Sequence, residues 1–144
     1  RSATELIHLL IDTVSRGGNL LLDVGPRADG TLPEIMEERL LDMGKWLERN
    51  GEAIYGTVPW QNGSQDKNLR FTQKGQTKYI LCLQWPGREI VLPDVAQLAG
   101  CKAQLLGSDA AVSLAQKDND LKIAIPKVSV DAGLSHAFVI RLEP

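Results

Sequence analysis

The feature that most constrains this chain is a continuous apolar run near its start, which reads Asn-Leu-Leu-Leu-Asp-Val over Asn19–Val24. A strand with one face in water alternates apolar and polar residues, whereas this run contains three consecutive leucines. Such a run is typical of a parallel strand that helices cover on both faces. It ends abruptly in a turn at Gly25 and Pro26. The sequence therefore predicts a fully buried strand over Asn19–Val24.

An amphipathic pattern before this run predicts a first helix over Ser2–Arg16. Apolar residues recur there at intervals of three and four, and polar residues occupy the opposite side. Ser2 or Thr4 is suited to cap the start of the helix. Gly17 or Gly18 can adopt the left-handed conformation that ends it.

A second amphipathic pattern predicts another helix that begins after a turn and runs to Asn50. Thr31 and Glu34 have the spacing of a capping box, and Pro33 is tolerated in a first helical turn. Asn50 and Gly51 are typical of a helix C-terminus. The first fifty residues therefore predict a helix, a buried strand and a helix.

A single buried strand cannot satisfy its own backbone, because each unpaired N–H or C=O group costs about 1–3 kcal/mol. Nothing after residue 60 resembles a second strand–helix unit, so we expect the neighbouring strands to lie upstream of Arg1. The opening stretch is interpreted as the last strand and helix of an alternating α/β sheet or barrel. A first residue that is not methionine fits a processed chain or a piece of a longer one.

The second half of the chain has a different pattern, with short alternating segments separated by turns and no convincing helix. Seven short strands at this spacing indicate an antiparallel sandwich. The predicted strands are Leu69–Lys74, Thr77–Gln84, Arg88–Leu92, Lys102–Leu106, Val112–Ala115, Leu121–Ile125 and Ala137–Leu142.

Composition excludes some classes of partner. Sixteen basic and eighteen acidic residues give a net charge of −2, which does not favour nucleic acid. No apolar stretch reaches the roughly 18 residues of a membrane span. Cys82 and Cys101 are the only cysteines. They allow one disulfide, but we expect two buried free thiols.

Two loops resemble ion-binding sites without the required spacing. Asp23, Asp29 and Glu34 suggest a cation loop, but they match no calcium pattern, and helix capping accounts for Glu34. The Gly-Pro-Arg-Ala-Asp-Gly segment suggests a phosphate loop anchored by Arg27, but it lacks both the dinucleotide and the P-loop spacing. We therefore expect no metal and no cofactor.

The histidines and the aromatic residues do not form a catalytic pattern. His8 lies on the polar side of the first helix, where we expect it to be solvated, and His136 precedes the last strand. Tyr55, Trp60 and Trp85 are able to stack on a sugar, but such residues more often fill the seam between two domains, which we expect here.

Two long segments carry a family resemblance. The stretches SRGGNLLLDVGPRADG and ERLLDMGKWLERNGEAIYGT, with Pro59 and Trp60 after them, resemble the C-terminal end of the catalytic barrel in α-L-fucosidases of glycoside hydrolase family 29. The match runs without a gap over the first 60 residues. The remainder is similar to the C-terminal β-sandwich of that family in position, length and strand pattern.

This resemblance implies a (β/α) barrel whose last strand is the leucine-rich run, in an enzyme that removes terminal α-L-fucose with retention of configuration. The family uses an aspartate nucleophile and usually a glutamate acid/base, which in a retaining enzyme lie about 5–5.5 Å apart. Both belong to upstream barrel segments in the family. No position of this chain matches either motif, so we expect no catalytic residue here.

Asp23 is the one candidate substrate-binding residue, because it lies at the C-terminal end of the predicted strand, where barrel enzymes form their sites. The family commonly has asparagine at this position, and a carboxylate lacks the amide donor. Either Asp23 contacts sugar hydroxyls or a neighbouring site residue, or it hydrogen-bonds backbone in the following loop. We favour the loop.

The expected fold is an α+β fragment, with the terminal helix–strand–helix of a (β/α) barrel over residues 1–60 and an antiparallel β-sandwich over residues 61–144. The expected function is the non-catalytic C-terminal part of a retaining α-L-fucosidase, whose partners are a fucosylated glycan and the N-terminal barrel portion. The alternative is a carbohydrate-binding or interaction module. The sequence does not determine the fucosyl linkage preference, whether the protein forms a homo-oligomer, or the compartment in which it acts.

Overall fold

The computed structural model describes residues 1–128 and 134–144. Two α-helices come first, followed by eight strands. The helices are α1, Ala3–Ser15, and α2, Glu34–Asn50, with short 3₁₀ turns at Gly51–Ala53 and Ala96–Gly100. The strands are β1, Val58–Pro59; β2, Leu69–Lys74; β3, Thr77–Cys82; β4, Glu89–Leu92; β5, Lys102–Leu105; β6, Ser113–Lys117; β7, Asp120–Ala124; and β8, Phe138–Glu143.

Both ends of helix α1 are formed by the capping residues that the sequence predicts. Ser2 caps its start, with the Ser2 hydroxyl accepting from the Glu5 backbone N–H at 3.1 Å and the Glu5 carboxylate accepting from the Ser2 N–H at 2.7 Å. At the other end Gly17 has φ +88° and the Gly18 N–H donates to Thr13 at 2.9 Å. These contacts form a Schellman motif, which only a residue tolerant of positive φ accommodates without strain.

The predicted strand over residues 19–24 is not formed within this chain. Among the described residues no strand pairs with it, although its side chains alternate: Leu20, Leu22 and Val24 are half-buried. Leu21 on the other side is 93% exposed. The run is therefore not fully buried within the chain, because none of the described segments supplies hydrogen-bonding neighbours, as expected for a strand whose neighbours lie outside this chain.

The N-cap of helix α2 lies two residues after the predicted N-cap, Thr31. Pro33 occupies the N-cap position and no side chain caps the helix, since the Thr31 hydroxyl donates to Asp29 at 2.6 Å instead. Gly51 follows the helix with φ −60°, so the expected left-handed end is also wrong there. A Cβ at Gly51 would lie 2.7 Å from the Tyr55 ring, which explains the glycine by close packing.

The strands form two antiparallel sheets, as the sequence predicts. The larger has the order β1-β2-β3-β8-β5 and the smaller β4-β7-β6. All seven predicted strands are present within two residues of their expected ends, and β1 is an additional short edge strand. A two-residue turn at Gly75 joins β2 to β3, where Lys74 is paired with Thr77. Gly75 has φ +59°.

The chain packs in three layers, with the larger sheet between the two helices and the smaller sheet. Tyr79 and Leu81 of β3 pack with the helices, while Ile80 and Cys82 pack against the smaller sheet. Because both faces of β3 are covered, its apolar residues are continuous rather than alternating. Leu121, Ile123 and Ile125 share the inner face of the sandwich, as their alternation predicts.

Both cysteines are free thiols, as expected, but only Cys82 is buried, whereas Cys101 is half-buried, so the expected burial is wrong for Cys101. Cys82 is paired with Phe138 at one end of β8, whereas Lys102, next to Cys101, is paired with Glu143 at the other end. The five residue steps from Phe138 to Glu143 along β8 span roughly 17 Å at the usual rise of a strand. That separation is far beyond the reach of a disulfide.

Candidate functional site

The segment 19–24 presents one side to the helices and the other side away from them. Leu22 packs against the cluster that α1 and α2 share with the larger sheet. Asp23 is exposed, as is Leu21 two residues earlier on the same side. Within residues 1–128 and 134–144 the Asp23 carboxylate has no hydrogen-bond partner. The candidate substrate-binding residue is therefore solvent-exposed in this chain.

An open apolar cleft lies between this segment and the first turns of α2. It has a volume of about 320 Å³. Leu6 of α1 and Leu22 line it together with Met36 and Leu40 of α2, and Asp23 lies at its margin. The Arg39 Nε donates to the Arg1 carbonyl at 3.2 Å on the same side. The cleft offers apolar surface rather than convergent polar groups, which is typical of a packing surface.

Four large apolar side chains around the same region are exposed. Their exposed fractions are 93% for Leu21, 52% for Ile35, 37% for Leu40 and 62% for Leu41. A monomeric surface rarely exposes neighbouring large apolar groups of this kind without a function in association. Ile35 and Leu40 line the cleft. We call these four side chains, together with the cleft, the open face.

On the opposite side a cluster of polar residues fastens the end of α2 to the larger sheet. The Glu52 carboxylate accepts two hydrogen bonds from Arg141 Nη1, at 2.9 and 3.0 Å, and one from the Tyr79 hydroxyl at 2.9 Å. Arg141 also donates to Gln104 at 2.6 Å and to Glu143 at 2.7 Å. Burial and the Glu52 carboxylate together raise the pKa of Tyr79 to about 12. We call Glu52, Tyr79 and Arg141 the clamp.

Two buried hydrogen bonds add to this attachment. Trp46 Nε1 in α2 donates to the Ala137 carbonyl at 3.1 Å, and the buried Thr72 hydroxyl donates to the Ala53 carbonyl at 2.7 Å. Both bonds satisfy polar groups that would otherwise be buried without partners. The helices are therefore held to the sheet by specific polar contacts as well as by the apolar core.

The two histidines lie at this same seam, where sequence reasoning did not place them. The His8 Nε2 is 2.6 Å from the His136 carbonyl oxygen, so the ring N–H of His8 donates a hydrogen bond to that carbonyl. The His136 Nδ1 is 2.7 Å from the Thr4 hydroxyl. The expectation that His8 is solvated is wrong, because the His136 carbonyl lies against that side of α1 and His8 is half-buried there. Among the described residues neither ring has a carboxylate partner, so the Thr4–His136 contact lacks the third member of a catalytic triad.

The other polar candidates are accounted for by local structure. The Asp29 carboxylate accepts from the Thr31 N–H at 3.0 Å and from its hydroxyl, which closes the turn before α2. In the described part of the chain no three acidic, histidine or cysteine side chains come together as metal ligands would. Arg27 is exposed and its backbone N–H donates to the Thr31 carbonyl at 2.7 Å.

The aromatic side chains do not form an exposed platform. Trp60 is 8% exposed inside the sandwich, where its ring meets Phe71 edge-to-face at 5.4 Å. Trp85 is 39% exposed and packs edge-to-face on Phe138 at 5.1 Å. Tyr55 is exposed, next to Gly51. No row of solvent-facing rings is present in the described sandwich, so packing accounts for most of these residues.

Sequence reasoning missed the clamp, although one signal was present. Arg141 is a charged residue inside the apolar last strand, between Ile140 and Leu142. An arginine at such a position is rarely left without a carboxylate partner. The partner, Glu52, lies 89 residues earlier, so only the fold brings the two together.

Two protein-family models match the chain, one to each of its halves. The model for α-L-fucosidase matches residues 1–52, and the model for the α-L-fucosidase C-terminal domain matches residues 61–143. The second match alone covers more than half of the chain.

Curated proteins and solved structures give the same result. The chain is 38% identical over 133 residues to the plasma α-L-fucosidase of Rattus norvegicus, covering 88% of this chain and 29% of that protein. It is 40% identical over 128 residues to the tissue α-L-fucosidase of Bos taurus, covering 87% and 27%. The Thermotoga maritima α-fucosidase in complex with a mechanism-based inhibitor is 34% identical, with a TM-score of 0.83 over 100% of this chain and 34% of that one. The chain thus spans less than a third of the curated relatives it matches.

Proposed function

The chain belongs to the α-L-fucosidase family, and from this membership we propose that it acts as the C-terminal part of a retaining exo-α-L-fucosidase. Such an enzyme hydrolyses terminal α-L-fucose from glycans or glycoconjugates. This part completes and supports the catalytic barrel. The carboxylates that act on the glycosidic bond belong to the N-terminal portion, so the 144 residues alone are inactive.

The observation that carries this proposal is the state of the segment 19–24. It has the alternation of a strand and the composition of a buried one, yet Leu21 is 93% exposed and no described strand pairs with it. If barrel strands flank the segment, they hydrogen-bond its backbone N–H and C=O groups, and the domain that carries them covers the open face. The N-terminal portion of the enzyme is the partner that supplies those strands.

We further propose a division at residue 60, with residues 1–60 ending the barrel and residues 61–144 forming the sandwich domain. The clamp supports a fixed attachment between the two, because Glu52 belongs to the first part while Tyr79 and Arg141 belong to the second. A buried, hydrogen-bonded seam of this kind favours a rigid pair over a flexibly tethered module.

Asp23 is proposed to face the substrate end of the completed barrel. It lies near the C-terminal end of the proposed barrel strand, the end where barrel enzymes form their sites, and its carboxylate has no partner in the described chain. A carboxylate there accepts hydrogen bonds from sugar hydroxyls or from a donor in the N-terminal portion. In the full-length enzyme, Asp23→Asn restores the residue common in the family. A substrate contact predicts a change in KM of several-fold, whereas an unchanged KM and kcat would assign Asp23 to the loop alone.

The proposed function is tested by turnover of an aryl α-L-fucoside. The full-length enzyme should release the aryl group and retain the anomeric configuration at the first-formed product. The purified 144-residue chain should give no turnover above buffer under the same conditions. Turnover by this chain alone, or none by the full-length enzyme, would contradict the proposal.

The alternative of a free carbohydrate-binding module is not favoured. Sugar-binding sheets present exposed rings to the sugar faces, whereas Trp60 and Tyr79 are buried in the two cores. Trp85 is the remaining partly exposed ring of the described sandwich that has a large stacking face. The attachment of the sandwich to α2 therefore fits a supporting role better than independent glycan capture.

A further inference from the structure

The chain contains two Asn-Gly pairs, Asn50-Gly51 and Asn62-Gly63. In such a pair the backbone nitrogen of the glycine can attack the side-chain amide carbon of the asparagine, because glycine has no Cβ to obstruct the approach. Asn50 is the last residue of helix α2, whereas Asn62 lies in the irregular loop between β1 and β2. The surroundings of each pair therefore decide whether it is free to react.

Hydrogen bonds and burial hold the Asn50-Gly51 pair in an unreactive arrangement. Asn50 is only 3% exposed. Its Nδ2 donates to the Trp46 carbonyl at 3.2 Å, and the Gly51 N–H donates to the Leu47 carbonyl at the end of the helix. The nitrogen that would attack and the nitrogen that would leave are both engaged, so two hydrogen bonds have to break before this pair reacts.

The Asn62-Gly63 pair lacks both of these hydrogen bonds. Gly63 is exposed, and among the described residues its N–H donates to no protein group. The Asn62 Nδ2 is buried without a hydrogen-bond partner, which is an unfavourable state for an amide group. No protein hydrogen bond in the described part of the chain therefore opposes either the attack by the Gly63 nitrogen or the departure of Nδ2.

One hydrogen bond in this loop favours the reaction. The Asn62 Oδ1 accepts from the Ser64 backbone N–H at 2.9 Å. The ring that this bond closes contains both Asn62 Cγ and the Gly63 nitrogen, so the two reacting atoms are held within one compact turn. The Ser64 N–H also donates to the oxygen on which negative charge develops when the nitrogen attacks, as a donor in an oxyanion hole does.

We propose that Asn62 is a site of spontaneous deamidation through a cyclic imide with Gly63. Solvent base removes the Gly63 N–H proton, the Gly63 nitrogen forms a bond to Asn62 Cγ, and the bond from Cγ to Nδ2 breaks. The departing Nδ2 takes up a proton and leaves as ammonia. Water then opens the imide at either of its two carbonyls, which gives aspartate or isoaspartate at position 62. The reaction consumes only water and releases only ammonia.

The modification changes the loop where it meets the smaller sheet. Either product adds a negative charge, and isoaspartate also lengthens the backbone by one atom. Gly63 lies close to Pro93, which follows β4, because a Cβ built on Gly63 would be 3.2 Å from the Pro93 Cγ. A lengthened backbone at Asn62 therefore displaces the loop from this contact.

The test follows deamidation of the full-length enzyme at mildly alkaline pH by peptide mapping with mass spectrometry, which localises each product and separates aspartate from isoaspartate. Production in a bacterial host avoids N-linked glycosylation of the Asn62-Gly63-Ser64 sequence, which would block Nδ2. At Asn50 two hydrogen bonds have to break, each worth roughly a fivefold factor in rate. We therefore expect Asn62 to react at least about 20-fold faster than Asn50 and to give both products.

Two controls separate the fold from the local sequence. In enzyme unfolded with guanidinium chloride the two Asn-Gly pairs differ only in their flanking residues, so we expect the rates at Asn50 and Asn62 to become similar. The variant Gly63→Ala places a methyl group beside the attacking nitrogen, so the rate at Asn62 should fall several-fold. The matched variant Gln65→Ala, at an exposed position of the same loop, should leave that rate unchanged.

Three results would overturn the proposal. The first is an equal rate at Asn50 and Asn62 in the folded enzyme. The second is aspartate as the sole product, because direct hydrolysis does not pass through the imide. The third is the same ratio of rates in the folded and the unfolded enzyme, because the fold would then not set the difference. None of these measurements involves fucoside turnover, so they are independent of the proposed function.

Discussion

Breaking the clamp should loosen the attachment of α2 to the sandwich, and a double-mutant cycle measures by how much. The three substitutions are Glu52→Ala, Arg141→Ala and both together. The single change at Glu52 removes the acceptor for two hydrogen bonds from Arg141 and for one from the Tyr79 hydroxyl. It leaves a half-buried guanidinium and a buried phenol without their carboxylate.

The expected magnitude lies between that of a buried and that of a surface ion pair. Hydrogen bonds to charged groups contribute about 1.5–3 kcal/mol when buried, whereas exposed ion pairs contribute about 0–1 kcal/mol. The side chains of Arg141 and Glu52 are 24% and 37% exposed, so solvent screens the pair in part. We expect Glu52→Ala to lower the free energy of unfolding by about 2 kcal/mol, with about 1 kcal/mol of coupling to Arg141.

The assay is urea or thermal unfolding of the four proteins in the cycle. For a chain of this size, 2 kcal/mol corresponds to a fall in Tm of about 4–8 °C. The control cycle uses Glu89 and Lys122, a more exposed pair 3.2 Å apart across β4 and β7, for which we expect coupling below about 0.5 kcal/mol. The reasoning is refuted if the coupling between Glu52 and Arg141 is no larger than that of the control pair.

Three further predictions concern ionisable groups. Burial raises the pKa of the Cys82 thiol to about 12. A disulfide reagent should therefore modify the half-buried Cys101 first and Cys82 only when the protein unfolds. Fast reaction of both thiols in the folded protein would contradict this packing. The pKa of Tyr79 is raised to about 12, so its contribution to stability is complete below about pH 10 and is lost as pH rises towards 12. Denaturant titrations of Tyr79→Phe should therefore show a shallower alkaline loss than the parent, and identical slopes would refute the assignment. A hydrogen bond from Arg70 lowers the pKa of Asp12, so this carboxylate stabilises the fold fully above about pH 4 and less as pH falls below it. The Asp12→Asn variant should therefore lose less stability than the parent as the solution is acidified. An equal loss in both proteins would argue against the ion pair.

The sandwich was predictable from the sequence because its signals are local. Alternation in Leu121, Ile123 and Ile125 marks one buried face, and glycine at Gly75 marks a hairpin turn. The continuous apolar run of β3 was equally informative once both sheet faces were known to be covered. Strand β1 was missed because two residues, Val58 and Pro59, carry no periodicity.

The features that sequence reasoning missed depend on contacts between distant parts of the chain. The clamp joins Glu52 to Arg141, and the seam joins His8 to the carbonyl of His136 across 128 residues. No spacing rule links such positions. The start of α2 was placed too early because the capping-box pattern of Thr31 fits a turn closed by an aspartate equally well. Side-chain competition of this kind is decided by the fold, not by the local sequence.

The central claim is that residues 19–24 form a strand whose hydrogen-bonding neighbours belong to another part of the enzyme. Amide hydrogen exchange of this segment, measured in the 144-residue chain and in the full-length enzyme, tests it directly. The account predicts exchange close to the unprotected rate in the 144-residue chain and strong protection, comparable to that of β3, in the full-length enzyme. Rapid exchange of residues 19–24 in both proteins would contradict the claim.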